Sequence, residues 1–239
     1  MNWNLRPEGS NYFQRDWLNK LDTFPRLVSR VRAWDKAASE ENDSDRKFPD
    51  FSACCGMGKT ANGDIVIFGN HCSSNYDKGT ETFGRFRRRP GEREKIILDQ
   101  AIHDGDNCQI ILPQDPGSGG KSEFLQSAKD LMAEGFIVRK DMSSPTTGKL
   151  KKFEPFSAAC QNQMVSIVES SFDRKTLDAF YSELEGFDGE RSTRQKKDDF
   201  ADCTATAFNY ISQKKTTRIV CRNQTNSNTL SSTLLSTMT

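Results

Sequence analysis

Residues 26–35 read R-L-V-S-R-V-R-A-W-D, an alternation that sets Leu27, Val31 and Ala33 on one side and ends on an acid, Asp35. A period of two with one apolar side marks a strand with one buried face, so a sheet begins here. A charged stretch at 40–49 follows and reads as a loop. The next segment, F-S-A-C-C-G-M-G-K-T-A-N-G-D-I-V-I-F-G-N-H-C at 51–72, holds two apolar runs around Asn62-Gly63, a strong hairpin signal. Three strands in an antiparallel meander are therefore expected.

Working outward, the pattern changes. P-G-E-R-E-K-I-I-L-D-Q-A-I-H-D-G at 90–105 spaces Ile96, Ile97 and Ala101 helically, with Glu92 and Glu94 in the first turn, where they favour the helix dipole. C-Q-I-I-L-P-Q-D at 108–115 reads as a fourth strand ending on Asp115. The stretch 116–136 is a glycine loop opening a helix, whose face carries Phe124, Leu125, Ala128, Leu131 and Met132, and which Gly135 ends. Residues 136–142 read as a fifth strand, 152–163 as helical, 164–170 as a strand, and 174–187 and 196–212 as amphipathic helices. A helix–strand–helix–strand middle needs parallel strands with right-handed crossovers. The expected fold is α/β: a mixed sheet, three antiparallel meander strands plus parallel strands, with helices on both faces. Residues 1–30, with Trp3, Trp17 and Pro25 but no period, read as a lead-in; 31–215 as the domain; and 216–239, rich in Ser, Thr and Asn, as a disordered tail.

Composition removes several classes. No run of eighteen apolar residues exists to span a membrane, and M-N-W-N-L-R-P-E-G-S-N-Y-F has no secretory pattern. Seven cysteines form an odd set with no C-x-x-C, which favours buried, reduced thiols over disulfides or a zinc site. The net charge of +1 is nearly neutral, yet basic residues cluster at Arg85, Arg87, Arg88, Arg89 and Arg93, at Lys149, Lys151 and Lys152, and at Arg191, Arg194, Lys196 and Lys197. Such clusters suit phosphate contacts, although each alone also fits a solvated helix end.

Two stretches imitate nucleotide-binding loops. Gly56-Met57-Gly58-Lys59-Thr60 has Ala53 where the first glycine belongs and lies in a hairpin. Asp115-Pro116-Gly117-Ser118-Gly119-Gly120-Lys121-Ser122 does join a strand to a helix, but its first position is a carboxylate where bare backbone should wrap a phosphate. A nucleotide hydrolase using 117–122 remains the second reading.

Asp115 instead matches Asp35: both close apolar strands, where open sheets place their chemistry. A third acidic group, Asp198, Asp199 and Asp202 in K-K-D-D-F-A-D-C-T-A-T-A-F, opens a helix with at least two carboxylates on one face. Packed carboxylates repel, and a divalent cation lets them stay ionised together; hard oxygen ligands select magnesium or manganese. Each acid also has a plain alternative: Asp198 an N-cap, Asp35 a surface ion pair with Lys36. His71 and His103 join no motif.

R-A-W-D-K-A-A at 32–38, I-L-P-Q-D-P-G-S-G-G-K at 111–121 and K-D-D-F-A-D at 197–202 together resemble the nuclease domain of tailed-phage terminase large subunits. The lead-in E-G-S-N-Y-F-Q-R-D-W-L resembles the segment that joins that domain to the packaging ATPase, and the resemblance covers roughly residues 8–212. It implies an RNase H-like fold, cleavage of concatemeric double-stranded DNA by two Mg²⁺ or Mn²⁺ ions, and action in the host cytoplasm. The packaging ATPase, portal and small terminase subunit are the implied partners. Asp35 matches the first-strand acid and is expected to bridge both ions; Asp115 matches the second acid, and Asp198 or Asp199 the late-helix acid, with Asp202 a further ligand or a structural residue. Lys149, Lys151 and Lys152 fall at the family's basic loop near DNA, and Arg87 and Arg88 are further expected DNA contacts. The ATPase half is absent, so translocation by this chain alone is not expected. A resolvase- or transposase-like nuclease, and a DNA-binding or assembly module that cuts nothing, are the rival readings within the fold.

Overall fold

The computed structural model describes residues 12–37, 51–69, 84–143, 147–190 and 196–214. The 40–49 loop, His71, Arg191, Arg194, the first eleven residues and the tail from 216 lie outside the described residues. In chain order the elements are β1 (Asn19–Lys20), β2 (Leu27–Asp35), β3 (Ser52–Thr60), β4 (Ile65–Phe68), β5 (Arg85–Phe86), α1 (Pro90–Asp104), β6 (Cys108–Leu112), α2 (Ser118–Ala133), β7 (Val138–Lys140), α3 (Lys149–Gln161), β8 (Val165–Ile167), α4 (Arg174–Gly186) and α5 (Asp199–Ser212). The described strands form one sheet in the order β1-β8-β4-β3-β2-β6-β7, with β5 beside the start of β3.

The expected meander is present: β2 runs antiparallel to β3, with Asp35 opposite Ala53, and β3 antiparallel to β4. The expected parallel half is present too, since β2, β6 and β7 are parallel neighbours, which brings the C-terminal ends of all three to one edge. The fourth strand stops at Leu112 rather than Asp115. Pro113 has no N–H to continue the ladder, and the chain turns away. The two-residue β5 was not legible beforehand.

Alternation along β2 assigns its faces. Val31 and Ala33 join a core with Phe153, Phe156 and Cys160 of α3, Phe180 and Leu184 of α4, and Phe200 and Phe208 of α5. Trp34 faces the other way, with Ile96 and Ile97 of α1 and Ala128 and Leu131 of α2. Helices thus cover both faces, each fully buried Phe contributing about 1.5–3 kcal/mol. The lead-in packs on this same core: Phe13 is 1% exposed and its ring stacks on Phe156 at 5.9 Å. Cys54, Cys55, Cys108, Cys160 and Cys203 are buried and free, as the cysteine pattern suggested. No helix among the described residues is long and apolar enough to cross a membrane.

The first phosphate-loop imitation is explained by packing. A Cβ at Gly56 would meet the Phe68 ring at 2.5 Å, and one at Gly58 would meet Leu27 at 2.2 Å, so β3 needs glycine for side chains of β4 and β2 to cross it. Lys59 Nζ donates to the carbonyls of Ser212 and Lys214 at 3.4 and 2.7 Å, closing the C-terminus of α5.

Arg32, 1% exposed, points to the α1 face and donates to both Asp104 oxygens at 2.6 and 2.7 Å and to the Gly69 carbonyl at 2.9 Å. Gln100 Nε2 adds a donor to Asp104 at 3.1 Å. Asp104→Ala strips the buried guanidinium of its counter-ion, and urea denaturation should show a loss of about 3–5 kcal/mol. Gln100→Ala, which leaves the ion pair intact, should cost about 1–3 kcal/mol.

Candidate active site

Three elements meet at the C-terminal edge of β2. The strand delivers Asp35 on the same side as Val31 and Ala33, which is the side that α3 and α5 cover. Helix α5 delivers Asp198 from its N-cap position and Asp199 and Asp202 from its first turn. Helix α3 delivers Lys149 and Lys152.

Asp198 occupies the N-cap position but makes no capping hydrogen bond with its side chain. Its carboxylate accepts instead from Lys149 Nζ at 2.6 Å, and the same ammonium donates to Asp202 at 2.7 Å. The plain N-cap role is taken from another helix: Glu183 of α4 accepts from the backbone N–H groups of Phe200 and Ala201. Glu183 also pairs with Arg85 at 2.5 Å. Asp199, 2% exposed, accepts from the Phe51 N–H at 3.2 Å, which ties the start of α5 to the start of β3.

Burial pushes Asp35 well above the ordinary carboxylate range, the charges on Asp202 and Asp199 push it further, and Lys149 and Lys152 pull it back. Asp202 is raised by burial and by Asp198, against the pull of Lys149. Lys149 is held above its ordinary value because Asp202 and Asp198 outweigh its desolvation. Glu183 is raised to about 8 by burial, with Asp199 adding to the effect and Arg85 opposing it.

The structure therefore brings Asp35, Asp198, Asp199, Asp202, Lys149 and Lys152 together. Asp115 lies exposed in the 113–117 connection, three residues past the end of β6. Lys36 does not pair with Asp35: it reaches Glu94 at 2.9 Å and Glu123 at 3.1 Å on the opposite face. Lys151 is exposed; Arg87 lies 3.7 Å over the Phe51 ring, and Arg88 donates to the Arg87 carbonyl. Arg85 and Lys197 approach the same ring at 4.7 and 5.8 Å, so cations gather beside the acids.

Two residues of the site were missed in the sequence. Asp141 follows β7 and accepts from Lys152 at 3.1 Å and from Thr206 at 3.2 Å. Lys152 and the Ser143 N–H outweigh its burial and hold it below the ordinary range. The rule that selected Asp35, an acid closing an apolar run, selects Asp141 as well. Glu183 gives no such signal, because within an amphipathic helix it looks like one more solvated acid.

The donor set is carboxylate oxygen throughout, which suits a hard divalent cation. Among the described residues no three His, Cys, Asp or Glu side chains stand close enough to enclose an ion as they are. The Lys149 ammonium lies between Asp198 and Asp202, hydrogen-bonded to both. A shallow cavity of about 360 Å³ lies at the other end of β2, lined by Phe24, Leu27, Val28, Ser29, Arg30 and Asn107, with no acid among them.

Residues 85–210 match the family model of the terminase RNaseH-like domain. No curated protein matches the chain. Among solved structures, the large terminase nuclease from thermophilic phage G20c with bound magnesium is 14% identical, covering 87% of this chain and 100% of its own, with a TM-score of 0.47. The manganese-soaked, inhibitor-bound human cytomegalovirus terminase nuclease domain is 10% identical over 76% of this chain and 83% of its own, TM-score 0.47. The yeast mitochondrial Holliday junction resolvase is 13% identical over 78% and 80%, TM-score 0.44.

Glu183 supplies a pH signature. Its folded value of about 8 lies above the ordinary 4.5, so its contribution to stability is complete below about 4.5 and is lost as pH rises through about 8. In Glu183→Gln, chemical denaturation at a series of pH values should show a shallower fall in stability across that window. Asp35→Asn removes one member of the repelling set, and without added cation it should raise the melting temperature by roughly 2–4 °C, the size of about 1 kcal/mol in a chain of this length.

Proposed function

The chain belongs to the terminase RNaseH-like domain family, and from that premise we propose that it is the metal-dependent DNA endonuclease domain of a phage packaging terminase. Its substrate is concatemeric double-stranded DNA, cut by phosphodiester hydrolysis in the host cytoplasm. The observation that carries this reading is the meeting of Asp35, at the C-terminal end of β2, with the acids that open α5, two of which share the Lys149 ammonium at 2.6 and 2.7 Å.

Asp35, Asp198, Asp199 and Asp202 are assigned as ligands of Mg²⁺ or Mn²⁺, with Asp115 contributing from the loop after β6. A set of this size suits two ions. Cations bound there would supply the charge that activates water and neutralises the leaving oxygen. The chain's own part is placement. The Phe51 N–H fixes Asp199, Glu183 fixes the start of α5, and the sheet ladder fixes Asp35. Exposed Lys151, with Arg87 over the Phe51 ring and Arg88 next to it in the chain, holds the DNA backbone, which favours weak sequence preference and strong salt dependence. The packaging ATPase, portal and small subunit are the partners this role requires. The nucleotide-hydrolase reading is weakened because α2 begins at Ser118, so most of 117–122 is helix rather than a loop free to wrap a phosphate.

The test is nicking of supercoiled plasmid in Mn²⁺. Asp35→Ala should lose more than the roughly 10–100-fold that outer-shell changes cost at metal sites. Equal nicking by both proteins sinks the assignment, and no nicking by either supports a non-cutting DNA-binding module. Asp115→Ala should fall with Asp35→Ala, whereas Asp141→Asn, which acts through Lys152, should retain partial cleavage. Binding measured against salt concentration should lose about one unit of slope for each basic residue removed among Lys151, Arg87 and Arg88.

A further inference from the structure

Lys149 is placed against its local interest. Helix α3 opens with Lys149, Lys151 and Lys152, has no acid in its first turn and has no side-chain cap. Cations at a helix N-terminus oppose the dipole, so these lysines do not serve α3. Asp198 likewise forgoes the capping bond that its position offers. What both obtain is each other: one ammonium lies 2.6 Å from Asp198 and 2.7 Å from Asp202, bridging carboxylates from the N-cap and first turn of α5. That is the work of a bound cation.

We propose that Lys149 is a built-in counter-ion that holds the place of a divalent cation between Asp198 and Asp202, and that cation entry displaces it. This rests on the reading of the acidic cluster as a metal site. The two occupants exclude one another, because a cation on these oxygens needs the space the ammonium fills. Lys149 can leave: its side chain is 40% exposed. Lys152 is different, at 17% exposed and held by an Asp141 that Thr206 and Ser143 also hold, so it stays. A displaced Lys149 stands free to meet a DNA phosphate. Cation and DNA then favour the same state, and each strengthens the binding of the other. The acids are kept from repelling until both arrive.

Titration with Mn²⁺, followed by the electron paramagnetic resonance signal of the free ion, tests this in the wild-type chain, Lys149→Met and Asp35→Asn. Lys149→Met should bind about tenfold tighter, a change of about 1.4 kcal/mol, and Asp35→Asn should bind more weakly than wild type. A second readout needs no variant fold: in ¹⁵N-lysine-labelled wild type, the Lys149 ammonium resonance should shift and gain fast exchange as Mg²⁺ saturates, while that of Lys152 holds. Equal or weaker Mn²⁺ binding by Lys149→Met, or an ammonium resonance unmoved by Mg²⁺, overturns the displacement and leaves the metal site standing. Absence of Mn²⁺ binding in all three proteins overturns the metal reading and the displacement with it.

Discussion

Carboxylates gathered in a partly dry setting repel one another, and this chain brings Asp35, Asp198, Asp199 and Asp202 to one sheet edge where water screens them poorly. The surrounding structure is arranged around that repulsion. The N-terminus of α5 points its dipole at its own acids, which favours their charged forms. Lys149 bridges two of them, and the Phe51 N–H holds a third. Glu183 takes over the cap of α5, so that Asp198 can turn toward Lys149. Glu183 is itself a buried acid, and Arg85 balances it across a 2.5 Å contact. Each compensation hands a buried charge to a further partner, Asp198 and Asp202 to Lys149 and Glu183 to Arg85.

The opposite face of the sheet makes this tolerable by keeping β2 still. On either side of Asp35 the strand and its exit carry Arg32 and Lys36, both turned toward α1 and α2. Arg32 is locked by Asp104. Lys36 is 5% exposed at its side chain and meets Glu94, Glu123 and Ser127, while Arg93 joins Glu123 to the Ala37 carbonyl at 2.6 Å. A carboxylate on a wandering strand end loses its geometry; one pinned by ion pairs before and after it does not. Asp35 therefore gains its position from charges that never touch it.

Much of this was legible in the sequence, and the parts that were not share a cause. Period-two alternation at 27–35 and Asn62-Gly63 gave the meander, and helical spacing gave α1, α2, α4 and α5, because local pattern reports burial directly. The four acids that the fold gathers at β2 and α5 were marked in the sequence, Asp35 by closing an apolar strand and Asp198, Asp199 and Asp202 by opening a helix with carboxylates on one face. Asp141 obeyed the same rule and was passed over, since the run before it is short. Glu183 and the inward turn of Lys149 were invisible: both depend on contacts between helices far apart in sequence, 17 residues for Glu183 with Phe200 and 49 for Lys149 with Asp198. Sequence shows which residues are charged, whereas pairing is a property of the fold.

The glycine run at 117–120 shows how one composition can serve a different constraint from the one it suggests. A Cβ at Gly120 would stand 2.5 Å from the Asp115 carbonyl oxygen and 2.7 Å from the Asp115 Cβ. Gly117 adopts φ +97, a conformation that side chains rarely accept. With Pro113 ending β6, these two glycines let the chain reverse within residues 113–117 and let α2 begin directly against Asp115. A phosphate loop needs glycine so that backbone can approach a ligand. Here the backbone approaches itself, and the close approach leaves the Asp115 carboxylate exposed in the connection after β6. The sequence feature that most resembled a nucleotide site is thus a tight strand-to-helix turn, closed by glycine where a side chain would collide with Asp115.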